Sequence, residues 1–302
     1  MRKKETGRRV FLAVAGLALL VSAGPIGSPA ASAAAPPALE RRSSYSSTDS
    51  VSPKTAIASC PPGKRVIGGG GGAYAIGVAD RAKVLLTGLE PVHSGNADSY
   101  VVTGEEVAPG MTGIWWLEAY AICAPEPAGY EIVSGSTASS SSSVQETAAV
   151  CPGSKRVIGT GSRINNPGGQ VTLQTNRSSG PRGIVRAVAK EDASGYAGSW
   201  NLIAYAICTD PLNGFSAVGG GSVLTGSETE KNAFVDCPAG TYVHSAGAAS
   251  SGTPPGLTTT PPGVAVQVVY PYNNLRSVEV IAVETTPTAV NWDVGAFAIC
   301  GP

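Results

Sequence analysis

Charge, histidine and long apolar runs are all scarce in this chain of 302 residues. Only 14% of the residues are charged, against a usual ~25%, and there are two histidines. Long amphipathic helices, histidine-rich metal sites and a basic nucleic-acid face therefore lack the residues they need. The longest apolar stretch, Val10 to Val21, falls short of the ~20 residues that a membrane-spanning helix requires. What is plentiful is glycine, at 39, and proline, at 23, beside a near-normal 42% hydrophobic share. Such a chain can bury a core while turning often, which points to an all-β fold.

The first 33 residues read as a secretory signal peptide. Arg2, Lys3, Lys4, Arg8 and Arg9 precede the apolar stretch, and Ala31-Ser32-Ala33 supplies a small-residue cleavage pattern. Arg8-Arg9-Val10-Phe11-Leu12 also fits the twin-arginine pattern, so either that route or general secretion is open. Residues 34–44, with Ala34-Ala35-Pro36-Pro37 and Arg41-Arg42-Ser43-Ser44, read as a flexible leader. Past residue 33 the chain holds 16 basic and 20 acidic residues, which gives it no electrostatic reason to bind nucleic acid or an anionic membrane.

The rest is a threefold repeat. Cys60-Pro61-Pro62-Gly63-Lys64-Arg65-Val66-Ile67-Gly68 aligns without gaps on Cys151 to Gly159 and on Cys237 to Ser245. The closing segments are WWLEAYAIC at Trp115–Cys123, WNLIAYAIC at Trp200–Cys208 and WDVGAFAIC at Trp292–Cys300. Opening cysteines 91 and 86 residues apart define units of about 85–90 residues, placed at 45–126, 127–211 and 212–302. Within the second unit, strands are expected at 130–134, 148–151, 156–164, 170–174, 184–190 and 200–208, between clusters of glycine, proline, asparagine and serine. The closing segment is apolar on both faces, so it is expected to lie centrally with cover on each side. A two-layer or closed β arrangement is implied, with the units either tandem β-sandwich-like modules or parts of one assembly.

Six cysteines in an exported chain imply disulfides, and the repeat leaves two symmetric pairings. One joins Cys60–Cys123, Cys151–Cys208 and Cys237–Cys300 within units; the other crosses the junctions. The first is the expected one, because each unit then carries its own staple, worth about 4 kcal/mol for a loop near 60 residues.

Chemistry-bearing patterns are few. The run Gly68 to Gly72 offers no G-x-G-x-x-G register and no following Gly-Lys-Ser/Thr, so it reads as a strand face kept small rather than a phosphate loop. Cysteine–proline openings lack a second cysteine at ligand spacing, and no metal or cofactor is expected. His93 has no counterpart in the other units, and His244 stands where they carry isoleucine. Neither a G-x-S-x-G elbow nor an S-x-x-K pair is present, so no catalytic residue is assigned. Glu106, Glu191 and Glu284 stand nine, nine and eight residues before Trp115, Trp200 and Trp292. The glutamates suit a repeated turn or a repeated ligand contact better than catalysis, and the three tryptophans suit a core. Trp116 adds a second ring in the first unit and is a candidate for stacking on sugar. Ser139 to Ser143 reads as a polar loop, and Asn176-Arg177-Ser178 matches a glycosylation sequon.

The C-P-x-G-K-R-V-I-G-x-G opening and the W-x-L-x-A-Y-A-I-C closing resemble tandem-repeat secreted proteins of high-GC actinobacteria, over nearly all of residues 45–302. That resemblance implies secretion and disulfides. The threefold cysteine–proline–x–glycine pattern is also similar to vitelline membrane outer layer protein I, which implies a pseudo-threefold β-prism. That family has shorter units and a Lys-Val-Glu segment absent here. The expectation is a secreted, non-enzymatic protein that recognises carbohydrate or another cell-surface ligand at several sites, with Trp116, Glu106, Glu191 and Glu284 as contacts. The alternatives are a structural or protein-binding role without a small ligand, and a hydrolase built from residues that no motif marks.

Overall fold

Strict alternation shapes the simplest strands. In Lys54–Ser59 and in Glu230–Asp236 every second side chain is buried and its neighbours are exposed, as expected for a strand with one face on a core. The computed structural model describes residues 38–95, 97–179, 183–222, 226–252 and 260–302, so the signal peptide read at 1–33 lies outside the described residues. The first unit contains β1 (Glu40–Tyr45), β2 (Lys54–Ser59), β3 (Lys64–Ala75), β4 (Val84–Ser94), β5 (Ala97–Glu106) and β6 (Trp115–Pro125), with a 3-10 turn at Val78–Lys83. The second contains β7 (Glu131–Ser136), β8 (Val144–Val150), β9 (Arg156–Asn165), β10 (Val171–Ser178), β11 (Ile184–Glu191) and β12 (Asn201–Thr209). The third contains β13 (Ser216–Gly221), β14 (Glu230–Asp236), β15 (Tyr242–Gly252), β16 (Val264–Pro271), β17 (Ser277–Glu284) and β18 (Trp292–Gly301).

Part of the expected leader is a strand. Glu40 to Tyr45 pairs antiparallel with β6, from Glu40 opposite Cys123 to Tyr45 opposite Glu118. This strand is the counterpart of β7 and β13, so the first unit begins before residue 45. Arg41-Arg42-Ser43-Ser44 has no apolar alternation because β1 lies at a sheet edge and needs only backbone pairing on one side.

The strands form three six-stranded antiparallel sheets, each shared by two units. The first sheet runs β1-β6-β3-β16-β17-β14, the second β2-β5-β4-β9-β12-β7 and the third β13-β18-β15-β10-β11-β8. Each unit thus gives its first, third and sixth strands to one sheet and its second, fourth and fifth to another. The seams are short: Gly72 and Gly71 face Val268 and Val269, Gly88 and Leu89 face Arg163 and Ser162, and Thr175 and Asn176 face Ala249 and Ala248. Residues 38–302 are therefore one closed, three-sided body, and the tandem-module alternative is set aside. The closing strands β6, β12 and β18 are paired on both edges, but each lies one place in from a sheet edge rather than at the centre, and its outer face is partly exposed.

One hydrophobic core draws on all three units. Trp115, Trp200 and Trp292 are fully buried in it, beside Ala119, Ala204 and Ala296. The disulfides join Cys60–Cys123, Cys151–Cys208 and Cys237–Cys300, the in-unit pairing, with Cα–Cα distances of 5.6–5.7 Å. The glycine run behaves as a thin strand: a Cβ on Gly69 would lie 2.4 Å from Tyr100 Cγ, and one on Gly68 would lie 2.2 Å from the His244 carbonyl oxygen. At the centre a buried polar chain links the units. Tyr100 of the first donates to the Thr160 carbonyl of the second at 2.8 Å, and the Thr160 amide donates to Ser245 Oγ of the third at 3.1 Å.

Each closing pair carries a bulge at one repeated position, occupied by Ile67, Ile158 and His244. The bulge turns that residue inward, so the histidine is buried, with its ring 4.6 Å from that of Phe215. Burial pulls its imidazole down from 6.5 to about 4, against an opposing hydrogen bond with the Pro302 backbone. The unfolded chain takes up a proton at ordinary histidine pH that the folded chain refuses. Stability is therefore full above pH 6.5 and falls as pH drops towards 4, by on the order of 2–3 kcal/mol. Denaturant titrations of the wild type and of His244→Ile between pH 4 and 7 test this. The isoleucine variant is expected to lose that slope, and an unchanged slope would assign it to other groups.

Candidate functional site

The repeated glutamates end β5, β11 and β17 and fold back over the turn onto the tryptophan that begins the closing segment. Glu106 accepts from Trp115 Nε1 at 2.9 Å, Glu191 from Trp200 Nε1 at 3.1 Å and Glu284 from Trp292 Nε1 at 2.8 Å. The second oxygen of each accepts a backbone amide: Met111 at 2.9 Å, Tyr196 at 3.1 Å and Thr288 at 3.3 Å. Both oxygens of every carboxylate thus serve the chain's own donors, satisfying groups that burial would otherwise leave costly. Three further side chains, with no sequence signal of their own, complete these corners. Lys54 and Lys231 lie 4.9 Å above the rings of Trp115 and Trp292, and Gln145 donates to the Trp200 carbonyl at 2.8 Å.

Trp116 points the other way. Neighbours on a strand face opposite sides, so while Trp115 enters the core, Trp116 lies on the outer face of the first sheet, apart from all three glutamates. There it stacks on Tyr74, with ring centroids 5.6 Å apart and an interplanar angle of 20°. A second aromatic group on the same face joins Tyr120 to Tyr270 and Tyr270 to Tyr272, with centroid distances of 5.1 Å and 4.9 Å. Tyr120 stands on β6 and Tyr270 on β16, with β3 between them. They meet because β3 is glycine there: Gly70 is opposite Tyr120 and places no side chain between the rings.

Polar groups frame these rings. The Arg41 guanidinium lies 4.1 Å from the Tyr120 centroid and 5.1 Å from that of Tyr270, and it donates to Asn273. Glu118 accepts from Trp116 Nε1 at 3.5 Å and from the Tyr120 hydroxyl, while Glu279 accepts from the Tyr272 hydroxyl at 3.0 Å. Burial raises the hydroxyls of Tyr74 and Tyr120 well above their ordinary range, so both remain neutral donors. Trp116, Tyr74, Tyr270 and Tyr272 stay half-exposed, and Tyr120 is covered. Sequence reasoning found Trp116 alone of this group. The spacings Trp116-x-Glu118-x-Tyr120 and Tyr270-x-Tyr272 are the signals that could have put each set on one strand face, but only the shared sheet brings the two strands together.

The two other outer faces carry different groups at equivalent positions. On the second sheet Tyr205 donates to Glu90 at 2.6 Å, and Glu90 pairs with Arg163 at 3.1 Å. On the third, Arg177 lies 4.8 Å over Phe297. The expectation of three alike sites therefore meets three unlike faces on one repeated frame.

His93 lies at the junction of the first and second units, beside a cavity of about 550 Å³ that Arg65, Glu126 and Tyr130 also line. Its Nδ1 is 2.6 Å from Oδ1 of the buried Asp98, which also accepts the Val66 amide and the Tyr130 hydroxyl at 3.0 Å each. The dyad thereby ties the second unit to the first. Among the described residues, no serine, threonine or cysteine lines that cavity. Asn176 of the sequon is 1% exposed within β10, so the folded chain offers its amide to no transferase. Among the described residues, no group of three histidine, cysteine or acidic side chains is placed to hold a metal ion, and no helix is long and apolar enough to cross a membrane.

No protein-family model matches the chain, and no curated protein matches it. The fold and its faces define an all-β, disulfide-stapled protein of three shared sheets, one of which carries two half-exposed aromatic pairs, Trp116–Tyr74 and Tyr270–Tyr272, on its outer face.

Proposed function

We propose that this is an exported, non-enzymatic protein that binds a polysaccharide or another sugar-bearing surface through the outer aromatic face of its first sheet. One observation carries the reading: the half-exposed pairs Trp116–Tyr74 and Tyr270–Tyr272 share the outer face of one sheet, with the covered Tyr120 packed against Tyr270. Ring faces offer apolar area to the C–H side of a pyranose, while tyrosine hydroxyls and the carboxylates of Glu118 and Glu279 match its hydroxyls. Export rests on the signal sequence at 1–33 and on three disulfides, which persist in oxidising compartments.

The four tryptophans make the test simple, because Trp115, Trp200 and Trp292 are fully buried and Trp116 is not. Quenching of intrinsic fluorescence by iodide reports Trp116, and a saturating polysaccharide is expected to protect it. Residues 34–302, produced with all disulfides formed, would be titrated with purified cell-wall polysaccharides and screened on a glycan array. Trp116→Ala is expected to weaken binding at least tenfold and leave the fold intact. Absence of binding to any saccharide by the folded, fully oxidised protein would defeat the reading and favour a protein-partner or structural role.

A further inference from the structure

We propose that the outer face of the third sheet holds a second, separate site, for a carboxylate-bearing sugar of the uronic-acid class. A cavity of about 520 Å³ opens there, within the ~300–1,000 Å³ usual for small-ligand pockets, lined by Arg177, Phe297, Asp293, Gly295, Thr175 and Ser251 among others.

Arg177 is a cation in need of a counter-ion. Its guanidinium lies over the Phe297 ring, and its Nη1 makes a long 3.4 Å bond to the Ser178 carbonyl. Among the described residues it has no ion-pair partner, a state it shares with Arg41 and Arg276, but unlike them it lines this open cavity. Burial and the nearby Arg186 pull its pKa down, the signature of a positive charge with too little compensation. The scaffold does not require arginine at this place: the same position after the bulge of the fourth strand is Glu90 in the first unit and Tyr270 in the third. A ligand carboxylate set against the planar guanidinium fork satisfies it in a way that the chain itself does not.

The remaining lining fits the hydroxyls of such a ligand. Asp293 Oδ1 is held by the Ser222 hydroxyl and the Val294 amide, which leaves Oδ2 to accept from a ligand hydroxyl. The hydroxyls of Thr175 and Ser251 add further donors and acceptors. A second carboxylate within the pocket would meet Asp293, so the chemistry fits one uronate residue there, with the other residues of a polymer lying outside it. The cavity itself exists because the fourth residue of the closing segment is Gly295 here, where the other units carry Glu118 and Ile203.

The site is independent of the aromatic platform, and its test separates the two. Calorimetric titration of residues 34–302 would use D-glucuronate and a galacturonate trimer, with glucose and a neutral glucose trimer as matched controls. Both uronates are expected to bind saturably and to weaken as salt rises, while the neutral sugars do not bind this site. A preference for the trimer over the monomer would identify polymer-borne rather than free uronate as the source. Arg177→Met and Gly295→Ile, the latter copying the second unit, are each expected to reduce uronate binding at least tenfold, and Trp116→Ala is expected to leave it unchanged. The proposal is overturned if the folded wild type binds no uronate. It is equally overturned if neutral sugars bind and that binding is lost in the same two pocket variants, or if uronate binding survives both pocket variants.

Discussion

Replacing Trp200 by alanine is expected to destabilise the whole molecule by about 3–5 kcal/mol, the range for deleting a large aromatic side chain from a closed core. Trp200 is fully buried, and its indole N–H is the donor that Glu191 accepts, so the substitution empties a cavity and strips a buried carboxylate of one partner at once. Trp116→Ala removes the same side-chain type from an outer face and is expected to cost far less. Urea denaturation of the two variants side by side measures the contrast. Equal losses would mean that Trp116 belongs to the core and that the aromatic face is structural.

Removing one disulfide has the next largest effect. Cys151→Ala with Cys208→Ala opens a loop with a sequence separation of 57 residues, worth about 4 kcal/mol in the chain-entropy account. At roughly 2–4 °C per kcal/mol, the melting temperature is expected to fall by about 8–16 °C. Because β7, β9 and β12 share a sheet with the first unit and β8, β10 and β11 share one with the third, the loss should not appear as early melting of a separate middle domain. Calorimetry is expected to show one transition before and after. Two resolved transitions would mean that the units melt on their own.

The strand pattern of the second unit was legible to within a few residues. Val, Ile and aromatic clusters at 156–164 and 184–190 became β9 and β11, and the tryptophans and the in-unit cysteine pairs fell where the repeat placed them. These features rest on short-range patterning. β1 was missed because an edge strand needs a backbone partner, not a hydrophobic face, and Arg41-Arg42 advertises neither. The even spacing of Glu106, Glu191 and Glu284 was visible, but not that each carboxylate closes onto an indole across the turn. The aromatic face was the least legible feature. Tyr120 and Tyr270 are 150 residues apart, and their contact depends on a seam between the first and third units that no local pattern encodes.

The shared sheets also bear on why one unit does not suffice alone. One unit by itself presents two three-stranded half-sheets, each ending in an unpaired backbone edge at β3 or β4, or at their counterparts. Three separate copies of one unit could satisfy those edges only by closing around an axis as a homotrimer, each handing half its strands to a neighbour. Joining the copies in one polypeptide makes the same seams intramolecular and frees each from the obligation to be identical. The three faces need not match, and they do not: one carries tyrosines, another an ion pair and the third an arginine over phenylalanine.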